Sequence, residues 1–154
     1  MAHNTKVYGY INGATWKTED FYRLHRLNTE IIASLPETDN DFPYLNRSMF
    51  SIPDEQGVFR QQIITFGASY KTLEHEWDLW LEKFENILKK LYWWDAKIHA
   101  DFEIMGQYVY EWEIDFNERE QNWWAESPKP ISKWTFNSNG QENFKSNGKA
   151  LQNH

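Results

Sequence analysis

The stretch 97-KIHADFEIMGQYVYEWEID-115 decides how this chain folds. Ile98, Ala100, Phe102 and Ile104 fall on one side of an alternation, and Lys97, His99, Asp101 and Glu103 on the other. Beyond Gly106 the alternation resumes, with Tyr108, Tyr110, Trp112 and Ile114 apolar and Glu111, Glu113 and Asp115 charged. Side chains that change face at every residue mark half-buried strands. One strand of this length would exceed the usual limit of roughly ten residues, so the stretch reads as a hairpin. A two-residue loop would set the apolar side of one strand against the polar side of the other. A three-residue loop, Met105-Gly106-Gln107, keeps both apolar sets together and gives Gly106 the positive-φ position. That register sets Asp101 opposite Glu111, His99 opposite Glu113, Lys97 opposite Asp115 and Glu103 opposite Val109.

Just upstream lies the clearest helix. Leu73, Trp77, Trp80, Leu81, Phe84, Ile87, Leu88 and Leu91 form an apolar stripe at helical spacing. Thr72 is placed to cap it, Glu74 and Glu76 suit the positive end of its dipole, and Lys89 and Lys90 suit the other end. Its outer face carries Asp78, Glu82 and Glu85, with Glu85 and Lys89 spaced as an i,i+4 pair.

Toward the N-terminus, Lys6 to Asn12 reads as a strand in which Gly9 marks a bulge or a close backbone approach. Thr18 opens a helix whose apolar positions run from Phe21 to Leu35, where Pro36 stops it. The loop Glu37 to Asn46 is acidic and turn-rich. Arg47 to Ile52 and Phe59 to Tyr70 read as strands joined through Pro53-Asp54-Glu55-Gln56-Gly57. The order is β-α-β-β-α-β-β. It predicts an α+β domain, ferredoxin-like in its first six elements with an extra C-terminal hairpin strand, and two helices on one face of an antiparallel sheet. The expected domain covers 1–136, where Ile131 to Phe136 could add a short strand. Residues 137–154, with seven Asn or Gln among eighteen, are expected to form a disordered polar tail.

At 154 residues the chain is long enough for one domain with a real core. Nine Trp, ten Phe and eight Tyr make that core aromatic, with a surplus expected at the surface. The absence of cysteine excludes disulfides, thiolate metal sites and cysteine nucleophiles, and suits a cytoplasmic protein. The first ten residues have no apolar core of a secretory signal, and no run approaches the length of a membrane span.

The net charge of −7 argues against nucleic acid as a partner. Between Glu74 and Glu120 there are thirteen acids and five bases; the rest of the chain is close to neutral. On the predicted hairpin Asp101, Glu103, Glu111, Glu113 and Asp115 form an acidic patch. Like charges directly opposite cost stability, so something should offset them. Three readings stand: a solvated sheet face, a site for a protein partner, or a metal or catalytic site. Trp94, Trp123 and Trp124 belong to adjacent Trp pairs that point opposite ways when extended, which makes them candidate aromatic anchors for a partner. His3, His25, His75, His99 and His154 have no metal-ligand spacing, and no nucleophile or phosphate-loop motif is present. No metal, cofactor or catalytic residue is therefore expected. Paired carboxylates beside aromatics leave one alternative, a small carbohydrate-binding or glycan-processing domain.

A small, acidic, cysteine-free, Trp-rich α+β domain of this kind resembles, in overall type, the immunity proteins of bacterial toxin–immunity systems, including contact-dependent inhibition and polymorphic toxins. The resemblance implies an inhibitory, non-enzymatic protein in a tight one-to-one complex; separately, the open sheet face leaves the chain expected as a monomer or homodimer. Its partner would be a cognate protein toxin, such as a basic nuclease, whose cleft an acidic surface complements.

Overall fold

In the computed structural model, which describes residues 4–13, 18–53, 62–115, 130, 133–139, 144 and 146, strand β1 runs Asn4–Gly13 and helix α1 Thr18–Ala33. A 3-10 turn at Arg47–Met49 leads into β2, Phe50–Ser51, and then comes β3, Ile63–Lys71. A second 3-10 turn, Glu74–Glu76, opens helix α2, Trp77–Leu88. Strands β4, Trp93–Phe102, and β5, Gly106–Ile114, form the hairpin, and β6 is Trp134–Ser138. The six strands make one antiparallel sheet in the order β2-β3-β1-β4-β5-β6. The α+β class is as expected. The six-strand order as a whole is not ferredoxin-like, because β5 and β6 both add beyond β4. No helix among the described residues is long and apolar enough to cross a membrane.

The hairpin loop is three residues long but lies two positions earlier than the alternation suggested. Phe102 pairs with Gly106, so Glu103, Ile104 and Met105 turn the chain. Gly106 takes φ 97 at the start of β5, a left-handed value that favours glycine. The shift is even, so both apolar sets still share one face. It moves Ile104 out of the core to the tip, where it is 64% exposed. Thr72 does not cap α2: its hydroxyl bonds the Lys71 carbonyl, and its φ is 54.

The inward face of the sheet meets α2 ring against ring. Trp77 stands edge-on to Phe102 at 5.1 Å, and Phe84 contacts Trp112 at 5.1 Å and Phe66 at 5.2 Å. Leu24 and Ile32 of α1 join the same apolar cluster. Asn28 of α1 closes a pair of hydrogen bonds with the Tyr92 backbone, donating to its carbonyl and accepting from its N–H, each 2.8 Å. All six described Trp are buried, and the large exposed aromatics among the described residues are the tyrosines Tyr8 and Tyr44.

Burying an indole also means finding an acceptor for its N–H. Trp77 donates to the Tyr110 hydroxyl at 2.9 Å, Trp80 to the Tyr70 hydroxyl at 3.1 Å, and Trp93 to the Leu88 carbonyl at 2.9 Å. Trp112 donates to Glu85 Oε2 at 2.7 Å. Glu85 is therefore fully buried and not part of an acidic outer face. Trp134 donates to Ser146 Oγ at 2.6 Å, and Ser146 in turn donates to Glu85. The sheet and its hydrogen bonds thus reach past position 136. Asn137 and Ser138 lie in β6, Asn139 Oδ1 accepts from the Val109 N–H at 2.7 Å, and Phe144 packs edge-on against Phe136.

The acidic loop before β2 is held on α2 by one cation. Lys83 Nζ donates to Asp39 Oδ2 at 2.8 Å and to the carbonyls of Asp41 and Pro43 at 2.6 and 2.9 Å. Burial would push the Asp39 carboxyl up. Hydrogen bonds from Lys83 and from the Asp41 and Leu45 N–H groups, with the Lys83 charge, outweigh burial and hold it below the usual range. A depressed carboxyl stabilises the fold above its unfolded pKa and loses that contribution as pH falls through the folded value. Asp39→Asn is expected to cost about 1–2 kcal/mol at neutral pH. In urea unfolding at a series of pH values, the gap to the parent protein should close as pH drops below about 4.

Gly9 gives a sharper test of the central strand. A Cβ on Gly9 would sit 2.0 Å from the Lys97 carbonyl oxygen, whereas one on Gly67 would meet nothing closer than 3.6 Å. Gly9→Ala is expected to destabilise by about 2–3 kcal/mol, through backbone shifts in β4, and Gly67→Ala to stay within about 0.5 kcal/mol. Urea midpoints of the two variants check this.

Candidate functional site

The outward positions of the central strands make the candidate site. Lys6, Tyr8, Tyr10 and Asn12 of β1 stand beside Asp101, His99, Lys97 and Asp95 of β4. These stand in turn beside Gln107, Val109, Glu111 and Glu113 of β5. Alternation places them there: their neighbours Val7, Ile11, Ala96, Ile98, Ala100, Tyr110 and Trp112 are buried on the other face. Tyr8 is 51% exposed and lies flat on His99, ring centres 5.2 Å apart and planes within 9°. The four acids here are offset by Lys6 and Lys97 within the three strands.

The observed register changes who faces whom. Asp101 and Glu111 are not opposite: Asp101 pairs with Gln107 and adjoins Lys6, while Glu111 pairs with Lys97. Lys97 Nζ lies 3.5 Å from Glu111 Oε1, a partly exposed contact worth little by itself. His99 faces Val109 rather than Glu113. The like-charge pair is Asp95 with Glu113. Asp95 accepts a 3.0 Å hydrogen bond from Asn12 Nδ2.

Around this pair the sheet is concave. A hollow of about 290 Å³ is walled by Tyr10, Asp95, Lys97, Glu111, Glu113 and, from β6, Thr135 and Asn137. Partial burial raises the Tyr10 phenol above its usual value, with the negative charge of Asp95 adding to it, so at neutral pH the hydroxyl is uncharged and able to donate. Among the described residues no group of three or more His, Asp or Glu is placed to hold a metal ion.

Of the residues singled out from the sequence, Glu111 and Glu113 come together at the hollow, while Asp101 lies two ladder steps away. Glu103 is in the hairpin loop, where Oε2 accepts the Asn4 N–H at 2.7 Å. Asp115 lies past the end of β5 and bonds the Lys133 carbonyl through its backbone. Trp94 is buried and does not serve as a surface anchor. Trp123 and Trp124 lie outside the described residues. Tyr8, Tyr10, Asp95, Lys97, Thr135 and Asn137 were not singled out, although Asp95 and Lys97 already stood on the charged side of the same alternation.

No protein-family model, no curated protein and no solved structure matches this chain.

Cross-strand charge pairs contribute roughly 0.2–1 kcal/mol, which makes the register testable by sign. Glu113→Lys puts a cation opposite Asp95 and is expected to raise stability by about 0.5 kcal/mol. Glu111→Lys puts Lys opposite Lys97 and is expected to lower it by a similar amount. Had Glu111 faced Asp101, the second change would have stabilised. Chemical denaturation of both variants at low salt decides.

Proposed function

We propose that this chain is an immunity-type inhibitor, a bacterial cytoplasmic protein that neutralises a cognate protein toxin by docking it on the outward face of the sheet. One observation carries the reading. The central strands present Asp95, Asp101, Glu111 and Glu113 with a half-exposed Tyr8, on a face that α2 does not cover. Partners are anchored through well-placed aromatics, and charge of one sign steers an oppositely charged partner onto the surface. A basic nuclease fits that chemistry, and fast capture of a lethal enzyme is what steering provides.

The carbohydrate alternative has less support. It relied on exposed Trp to stack on sugar rings, and every described Trp is inside. A ferredoxin-like core is supported for the first four strands, because β1 lies between β3 and β4, antiparallel to both, and β3 lies between β1 and β2.

The test is co-expression with the product of the neighbouring reading frame, followed by association kinetics at several salt concentrations. The expected result is growth rescue by the parent protein and an association rate that falls at least about tenfold from low to high salt. The Asp101→Lys, Glu111→Lys, Glu113→Lys triple variant should fold, by circular dichroism, yet fail to rescue. Normal rescue by a folded triple variant would remove this face from the proposal.

A further inference from the structure

The hollow at Asp95 and Glu113 is a feature that general surface charge does not account for. A solvated acidic face needs no concavity, and carboxylates repel less when splayed apart than when set opposite each other. Here Asp95 and Glu113 are direct partners across β4 and β5. Lys97, the cation in the wall, is placed on Glu111, on the next pair along the ladder. Asn12 uses its Nδ2 on Asp95, and its Oδ1 is buried with no donor among the described residues. The corner therefore sets two carboxylates side by side, with Asn12 and Tyr10 donating to one of them, Asp95.

Size limits the occupant. About 290 Å³ lies just below the roughly 300–1,000 Å³ of small-molecule pockets, and suits one long side chain. A divalent ion has no group of three or more candidate ligands among the described residues. The acceptors are two carboxylates set across adjacent strands. That arrangement matches a planar guanidinium, which offers five donors in a fixed fork, better than an ammonium, which offers three from one point. The Tyr10 ring and hydroxyl in the wall offer a face for the guanidinium and one further polar partner.

We propose that this hollow takes a single arginine side chain of the protein partner, its guanidinium shared between Asp95 and Glu113 in charge-assisted hydrogen bonds. The inference rests on the partner-docking reading of the sheet face and names the chemical anchor within it.

The experiment uses the full chain at low salt, titrated with acetyl-arginine methylamide and with the lysine counterpart, and followed by backbone amide chemical shifts. The expected result is a saturable shift confined to Asp95, Lys97, Glu111, Trp112 and Glu113, with arginine about fivefold tighter than lysine. Asp95→Asn with Glu113→Gln should abolish it, and Asp101→Asn, outside the hollow, should leave it unchanged. Thr135→Arg fills the hollow from within while keeping both acids, and should also abolish it. Shifts scattered over the acidic face, equal binding of lysine, or equal loss in Asp101→Asn would overturn the arginine site. Loss of toxin rescue in the acid-to-lysine triple variant, seen together with that failure, would leave the docking reading standing. Failure of both tests would remove the face altogether.

Discussion

A buried indole N–H is costly to leave without an acceptor, and much of this structure follows from supplying one to Trp77, Trp80, Trp93, Trp112 and Trp134. Leu88, Tyr70, Tyr110, Glu85 and Ser146 each accept one of these bonds. Glu85 shows how far the demand reaches. A carboxylate would not normally sit inside an aromatic layer, yet Trp112 donates to it from β5 and Ser146 from the C-terminal segment. Burying such a group without partners would cost several kcal/mol, so helix, sheet and C-terminal segment are tied together at that point. Tyr110 and Tyr70 serve in the same way: their hydroxyls accept from Trp77 and Trp80, and burial raises both phenols above their usual values.

The inward layer determines the outward one. Once Ala96, Ile98, Ala100 and Phe102 are committed to the aromatic core, Asp95, Lys97, His99 and Asp101 have only the other face. The pairing of β4 with β5 then decides which charges meet. Moving the turn by two residues shifts each pairing by four, which leaves every side chain on its face but changes each of its partners. That displacement separates Asp101 from Glu111, brings Lys97 to Glu111, and creates the Asp95–Glu113 opposition beside the hollow. The functional reading of this surface thus depends on a turn of three residues at the far end of the hairpin.

Much of the architecture was legible in the chain. The period of two in 97–115 gave a hairpin, the 3.6 period from Trp77 to Leu88 gave α2, and Thr18 marked the start of α1. Gly9 read as a close approach and is one. The misreadings share a cause: each depended on a partner distant in sequence. Glu85 looked solvent-facing because nothing local announces that an indole 27 positions on will require it. Ile104 continued the apolar alternation, but the turn consumed it. Trp94 was read as an outward anchor from its adjacency to Trp93, yet it shares the inward parity of Ala96, and both Trp are buried at the start of β4.

The sequence by itself determined the class of the fold, the aromatic character of its core, and the placing of carboxylates on one side of one hairpin, because periodicity and composition are local properties. Only the tertiary structure decided which carboxylates oppose each other, that β6 extends the sheet beyond β5, and that the acidic side opens into a hollow walled by β1, β4, β5 and β6. Those are matters of register and of long-range packing. Both come from how the chain's distant parts satisfy one another, not from any one stretch of it.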